Sequence, residues 1–184
     1  MSEGSEQDLG IVRMAPEEAR ARGLMPGIEH VFFASAARSY EAGPERDAFL
    51  ERWLGRYLGG EDCLLVGLTA EDFVWGYLVG TLDNAAESDR FSDLAYFRAH
   101  FVEACRRFPA HLHINLDAAY RSRGLGALLI AQFADYARAG GAAGMHVVTG
   151  KGMRNVRFYE ACGFSEVAHV SSAGRELLFL GRKL

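Results

Sequence analysis

Two glycines and two arginines in one short turn give the clearest chemical signal of this sequence. The stretch LHINLDAAYRSRGLGALLI, residues 112–130, is typical of a strand, a turn with Arg121, Arg123, Gly124 and Gly126, and the start of an apolar helix. Glycine lets the backbone approach a ligand because it has no Cβ. Amides without partners at a helix start favour anions, and the arginines add charged donors. The turn therefore predicts a cradle for a pyrophosphate.

Two common phosphate-binding fingerprints do not fit this chain. A dinucleotide fingerprint G-x-G-x-x-G would need glycine where the sequence has Leu129. A P-loop would need glycine at Met145 and serine or threonine at Gly152, around the Gly-Lys pair at 150–151. The spacing Arg-x-x-Gly-x-Gly at residues 121–126 belongs to neither.

Two segments in order resemble the GNAT superfamily of N-acetyltransferases. Residues 120–126, YRSRGLG, follow a predicted strand and are similar to the family's acyl-CoA pyrophosphate loop. One helix and one strand further on, residues 157–164, RFYEACGF, are similar to its FYE-x-x-GF segment. The strong likeness covers residues 111–165. The sequence PAHLHINL before the loop is most similar to the acetyltransferase-like domain associated with O-GlcNAcases and its free-standing bacterial relatives.

The resemblance implies a role for each matching position. Leu116 and Ala118, at the end of the strand, would pair with the pantetheine amides of acetyl-CoA, and the Leu116 amide would lie near the thioester carbonyl. Tyr159 would protonate the departing CoA thiolate. The other cofactor-binding candidates are Arg121, Ser122, Arg123, Gly124, Leu125, Gly126, Ala127 and Asn155.

The chain departs from the family pattern at four positions. Ala118 stands where the family commonly has proline, and Ser122 where it commonly has glycine. Both changes are mild because this loop binds through its backbone. Gly152 replaces the usual asparagine seven residues before the tyrosine, and Asn155 stands where a small residue is common. These differences keep open a second hypothesis, a CoA-binding module that has lost catalysis and serves as a sensor or interaction domain.

Direct attack of an amine on the thioester needs a base, and His113 is the first candidate, with His111 second. Residues i and i+2 of a strand point to the same face, and an imidazole titrates near pH ~6.5. The alternative is that both are structural histidines hydrogen-bonded within the sheet. A metal pair is weaker, since no third ligand stands at a suggestive spacing.

Other notable side chains have plainer explanations. Tyr159 could be a packing tyrosine, and Asp117 could be a turn or cap residue. Cys162 is expected to be a small buried residue rather than a nucleophile. Trp75 and Tyr77 share one strand face, where they either border the acceptor site or pack in the core.

The predicted elements define a mixed α/β fold, the GNAT fold. We expect a mostly antiparallel sheet of about six to seven strands, splayed at the acyl-CoA site and flanked by helices. A right-handed crossover makes the strands at 111–116 and 145–149 parallel neighbours, with the ligand beyond their carboxyl ends. The other predicted strands are 11–14, 63–69, 73–82, 164–170 and 176–180. The predicted helices lie within 26–58, the second at 44–58, and at 92–108, 124–139 and 154–162.

Composition bounds the remaining choices. The chain has 184 residues, 49% of them hydrophobic, which favours one globular domain over residues 1–184, with residues 1–9 flexible. Three separated cysteines and an acidic, polar start favour a reducing, cytoplasmic location without a signal peptide. The net charge is −4, yet six basic residues accompany one acidic residue between Tyr120 and Phe158. This favours a local anionic ligand over duplex nucleic acid.

The sequence thus predicts an acetyltransferase that moves an acetyl group from acetyl-CoA to a small-molecule amine or a lysine side chain. No metal, nucleic-acid or membrane partner is expected. The acceptor would be shaped by residues 26–108, where the resemblance is thinnest. Domains of this family often pair, so a homodimer stays open.

Overall fold

A computed structural model describes residues 8–172 and 174–184. Within these residues seven strands form one sheet in the order β1-β2-β3-β4-β5-β7-β6. The pairs β1·β2, β5·β7 and β6·β7 are antiparallel, whereas β4 and β5 run parallel, as the crossover predicted. The strands are β1 (Leu9–Arg13), β2 (Cys63–Thr69), β3 (Val74–Thr81), β4 (Ala110–Leu116), β5 (Gly144–Gly150), β6 (Ser165–Ser172) and β7 (Arg175–Lys183).

Seven α-helices accompany the strands in the described residues, and this confirms the mixed α/β class. Proline stands in the first turn of each of the first three helices, where its missing N–H costs nothing. The helices are α1 (Pro16–Ala21), α2 (Met25–Ala34), α3 (Pro44–Trp53), α4 (Tyr96–His100), α5 (Val102–Arg107), α6 (Leu125–Ala139) and α7 (Asn155–Ala161). Short 3-10 turns cover Gly55–Tyr57, Asp89–Phe91 and Ala118–Tyr120.

The contacts of the chain group into two compact units. The first runs to Val79 and includes Ile114–Leu129. Its core contains β2, which is buried at every position, and the fully buried rings of Trp75 and Tyr77. A Cβ at Gly67 would lie 2.4 Å from the Trp75 indole, so glycine lets that ring lie across β2. The single-domain organisation stays a prediction.

The second unit combines Gly80–His113 with Ile130–Leu184. Its core is aromatic: Phe91, Phe101, Phe133 and Phe179 are among its fully buried side chains. A Cβ at Gly80 would lie 2.5 Å from the Phe133 ring, so this glycine lets α6 approach β3 closely.

Three local expectations were wrong in detail. The helix expected over 92–108 is two short helices, because Phe101 leaves helical geometry at φ −120° and buries its ring 5.3 Å from that of Phe179. The helix expected over 44–58 ends at Trp53, and α1 was missed because six residues give little periodicity. Of the expected flexible lead, Leu9 instead begins β1 opposite Thr69, and residues 1–7 lie outside the described residues.

Candidate active site

The turn after β4 is held by its own backbone and by one carboxylate. The Asp117 amide donates to the Trp75 carbonyl at 2.9 Å, which fixes the end of the strand. Its Oδ1 atom accepts from the Ala119 amide, also at 2.9 Å, and caps the 3-10 turn. Asp117 is therefore a cap, as the sequence analysis considered.

Backbone conformation shapes the segment that follows. Ser122 has φ +61° and Gly124 has φ +78°, so two of three successive residues are left-handed. This conformation is rare for residues with a side chain. Nothing lies within 4 Å of a Cβ placed on Gly124, so the space above the loop is open.

The amides of residues 122–126 lie at the N-terminal end of α6. Ala127 and Leu128 donate to the Gly124 carbonyl at 3.0 and 3.3 Å, so their amides are already used. Within the described backbone, no such bond starts from the amides of residues 122–126. The 15-residue helix α6 adds the positive end of its dipole. The residues present therefore fit a diphosphate, held by amides that precede Ala127.

The side chain of Arg121 makes hydrogen bonds within the protein. Its Nε donates to the Leu116 carbonyl at 3.0 Å, and its Nη2 donates to Ser35 Oγ at 3.4 Å. The guanidinium thus ties the end of β4 to the residue that follows α2. The Arg123 guanidinium is exposed and lies 5.3 Å from the centre of the Tyr120 ring. Of the two arginines, Arg123 is the one whose charge is open to a ligand.

A polar contact between β4 and β3 was missed by the sequence analysis. Asn115 Nδ2 donates to the Tyr77 hydroxyl at 2.7 Å, and the Tyr77 side chain is fully buried. Burial raises the pKa of Tyr77 far above its ordinary value, so the hydroxyl stays neutral. The alternation His111, His113, Asn115 was the available signal, since these residues share one face of β4. Trp75 is equally buried and packs in the core.

The two candidate bases differ sharply in exposure. His111 is 4% exposed, its ring 5.2 Å from His146 and 4.6 Å, edge-on, from Phe91. His113 is half-buried. His111 and His146 are paired across the β4–β5 ladder, which accounts for the stacking of their rings. His111 is therefore a packed residue of the aromatic core, and His113 is the histidine that solvent reaches.

His146, which the sequence analysis did not single out, is fully buried between aromatic rings. It stacks on Phe179 at 4.4 Å, and its Nδ1 donates to the Phe108 carbonyl at 2.6 Å. Burial lowers the pKa of His146 to about 4, although the carbonyl contact opposes the shift. The ring is neutral at pH 7.

Tyr159 lies on α7 and is 7% exposed, with its ring against those of Phe158 and Phe164. Burial raises the pKa of its hydroxyl well above the ordinary value, so it carries its proton at neutral pH. Asn155 begins the same helix, and its Oδ1 accepts from Thr149 Oγ1 at 3.0 Å. Gly163, with φ +85°, ends the segment.

Metal-binding clusters and membrane-spanning helices were sought in residues 8–172 and 174–184. No group of three or more His, Cys, Asp or Glu residues in that part of the chain is placed to hold a metal ion. None of its helices is both long and apolar enough to cross a membrane.

Comparison with protein families matches residues 30–164 to the acetyltransferase (GNAT) family. The match covers well over half of the chain, and the chain therefore belongs to this family and is an acetyltransferase. The expected family and enzyme class are confirmed, and the match extends well before the two motifs. The subgroup associated with O-GlcNAcases stays a prediction.

Solved structures share the fold at low sequence identity. A GCN5-related N-acetyltransferase from Kribbella flavida is 18% identical, with 96% of this chain and 98% of that chain covered and a TM-score of 0.64. YncA of Salmonella typhimurium, solved with acetyl-CoA, is 20% identical over 96% and 94%, with a TM-score of 0.61. The ribosomal-protein-S18-alanine N-acetyltransferase of Escherichia coli is 12% identical over 95% and 93%, with a TM-score of 0.60. No curated protein matches the chain.

The role of Arg121 predicts a difference between two neighbouring arginines. Arg121→Gln removes the bonds to Leu116 and Ser35 and leaves a strand carbonyl without its partner. We expect it to lower the free energy of unfolding by about 1–2 kcal/mol, and the matched Arg123→Gln by less than ~0.5 kcal/mol. Urea unfolding at pH 7 measures both. Equal losses would contradict the structural role.

The buried imidazole predicts a dependence of stability on pH. Because the pKa of His146 is lowered to about 4 in the folded protein, the unfolded chain binds more protons between that value and ~6.5. Stability contributed by the neutral ring is present above pH ~6.5 and is lost as pH falls toward 4. We expect a loss of about 2 kcal/mol from this group between pH 7 and pH 5.

Urea unfolding at both pH values, with His146→Phe as the comparison, isolates this contribution. Phenylalanine keeps a ring against Phe179 but cannot titrate, so the variant loses less stability on acidification by about the same amount. A variant and parent that respond identically to pH would show that His146 is not the group responsible.

Proposed function

We propose that this protein transfers the acetyl group of acetyl-CoA to a primary amine, on a small molecule or a lysine side chain, by direct attack within a ternary complex. The observation that carries the proposal is the turn at 120–126, where two left-handed residues and a run of amides precede an apolar helix. This turn belongs to a chain of the GNAT acetyltransferase family. Acetyl-CoA is the co-substrate, and the yncA structure with acetyl-CoA supports this.

In this proposal the loop binds through its backbone. The amides of Ser122, Arg123, Gly124, Leu125 and Gly126 hold the pyrophosphate, and the positive end of the α6 dipole adds to the attraction. Leu116 and Ala118 pair with the pantetheine amides. Arg121 is a positioning residue, since its guanidinium fixes the strand end that carries Leu116. When bound, acetyl-CoA supplies the activated acetyl thioester.

One backbone amide stabilises the developing charge, and two side chains transfer protons. The Leu116 amide stabilises the negative charge that develops on the carbonyl oxygen, a contribution whose loss typically costs ~10²–10³ in rate. His113 accepts the proton that the amine loses as the C–N bond forms. Tyr159 donates a proton to the sulfur as the C–S bond breaks. Burial supports the last role, because it keeps the tyrosine protonated until the thiolate appears.

The location and partners of the enzyme belong to the same proposal. We place it in the cytoplasm, acting on amines there without a nucleic-acid or membrane partner. The acceptor contacts would come from residues 26–108.

Tyr159→Phe tests the proton donor. We expect kcat for CoA-thiol release with an amine acceptor to fall about 10²-fold, because general acid catalysis contributes at least that much. Affinity for acetyl-CoA should change less than about twofold, since only one hydroxyl is removed. Tyr136→Phe, which removes a hydroxyl from α6 outside the proposed site, is the matched control.

Two other outcomes of this assay would contradict parts of the proposal. Unchanged turnover in Tyr159→Phe would remove this residue as the acid. A parent that binds acetyl-CoA but releases no thiol with any amine would favour the sensor hypothesis instead.

Measured across pH, the parent should lose kcat/KM on the acid side, and His113→Gln should lack that decline if His113 is the base.

A further inference from the structure

A cavity of about 530 Å³ lies in the second unit, at the ends of β6 and β7 that flank α5. Its lining includes Arg107, Arg182 and Lys183. None of the residues proposed above to bind acetyl-CoA or to move protons lines it. The cavity is therefore a feature that acetyl transfer does not explain.

A β-bulge shapes this cavity. The register between β6 and β7 shifts between Glu166 and Ala168, which face Leu180 and Phe179, so Val167 has no partner in the ladder. Bulges of this kind re-aim side chains and occur next to binding sites. A Cβ at Gly181 would lie 2.8 Å from Val167 Cγ2 and 2.9 Å from the Phe108 ring. Glycine at this position therefore lets the bulge and Phe108 close into an apolar floor.

The polar wall is positively charged. Three basic residues and one acidic residue, Glu166, are among those that line the cavity. The Glu166 carboxylate accepts from His169 Nδ1 at 2.8 Å, which engages one of its oxygens. Within the described residues, no ion pair with a carboxylate is seen for Arg107, Arg182 or Lys183. The wall thus carries excess positive charge.

The guanidinium of Arg182 is oriented by a hydrogen bond within the protein. Arg182 Nη1 donates to the Cys162 carbonyl at 3.0 Å, which fixes the guanidinium plane and leaves its other N–H groups for a ligand. The thiol of Cys162 does not supply an anion, because burial raises its pKa against the opposing effect of Arg182. Arginine in a fixed orientation suits the planar or tetrahedral oxygens of carboxylate and phosphate.

We propose that this cavity is a second ligand site, for a small molecule that carries a phosphate or carboxylate group. Arg107, Arg182 and Lys183 bind the anion, and Val167 and Phe108 contact the apolar part of the ligand. The site is independent of acetyl transfer, so it can be tested whether or not the protein acetylates an amine.

Titration of the ¹⁵N-labelled protein with sodium phosphate, and separately with sodium acetate, tests the proposal by NMR. Sodium chloride at equal ionic strength is the reference. We expect saturable shifts of the Gly163, Val167, Gly181 and Lys183 amides with at least one of the two anions. The two titrations distinguish phosphate from carboxylate. Binding at the acetyl-CoA loop is resolved separately by the amides of residues 122–126.

Arg107→Gln combined with Lys183→Gln should weaken this binding about tenfold or more, because two charged donors are lost. Arg182 is kept, since it also holds the Cys162 carbonyl. The matched control, Arg138→Gln, removes an exposed arginine that does not line the cavity. The proposal is overturned if neither anion shifts these amides beyond chloride. It is also overturned if the double variant binds as tightly as the control.

Discussion

The candidate cofactor site depends on how one strand end is held. At Leu116 the chain leaves β4, and the carbonyl of this residue accepts from Arg121, whose guanidinium also reaches Ser35 beyond α2. The next residue, Asp117, is fixed by the hydrogen bond that its amide donates to the Trp75 carbonyl. Leu116 and Asp117 are thus fixed, and the backbone that follows carries two left-handed residues, Ser122 and Gly124, before α6 begins. The amides proposed to bind the pyrophosphate are thus positioned by bonds that do not involve the ligand.

Burial keeps two tyrosines and one histidine of this protein neutral. It raises the pKa values of Tyr77 and Tyr159, so both hydroxyls are neutral, and lowers that of His146, so this ring is neutral too. His113 is half-buried.

Sequence predicted most of the strands and the loop because their signals are local. The buried run of β2 was predicted to the residue, and the glycines and arginines of 121–126 correctly marked a turn before a helix. The family assignment followed from two short motifs in order. A turn, a cap and an apolar strand are each set by neighbours within a few residues, so their patterns are visible in the chain.

The features that sequence did not predict depend on residues far apart. The guanidinium of Arg121 donates to Ser35, a residue 86 positions away in the chain. The stacking of His146 on His111 follows from strand pairing, and the break of the helix at Phe101 follows from its packing on Phe179. The contact between Asn115 and Tyr77 joins two strands. No periodicity within one segment could have shown these partners.

Calorimetric titration with acetyl-CoA tests whether the backbone of residues 122–126 holds this co-substrate. Gly124→Val places a β-branched residue at φ +78°, which its side chain does not tolerate, and distorts the amides. Gly10→Val, on strand β1 where nothing lies within 4 Å of the added Cβ, is the matched control. We expect one acetyl-CoA per chain for the parent and the control, and at least about tenfold weaker binding for Gly124→Val. Equal affinity in all three proteins, or no binding by the parent, would contradict binding by this loop.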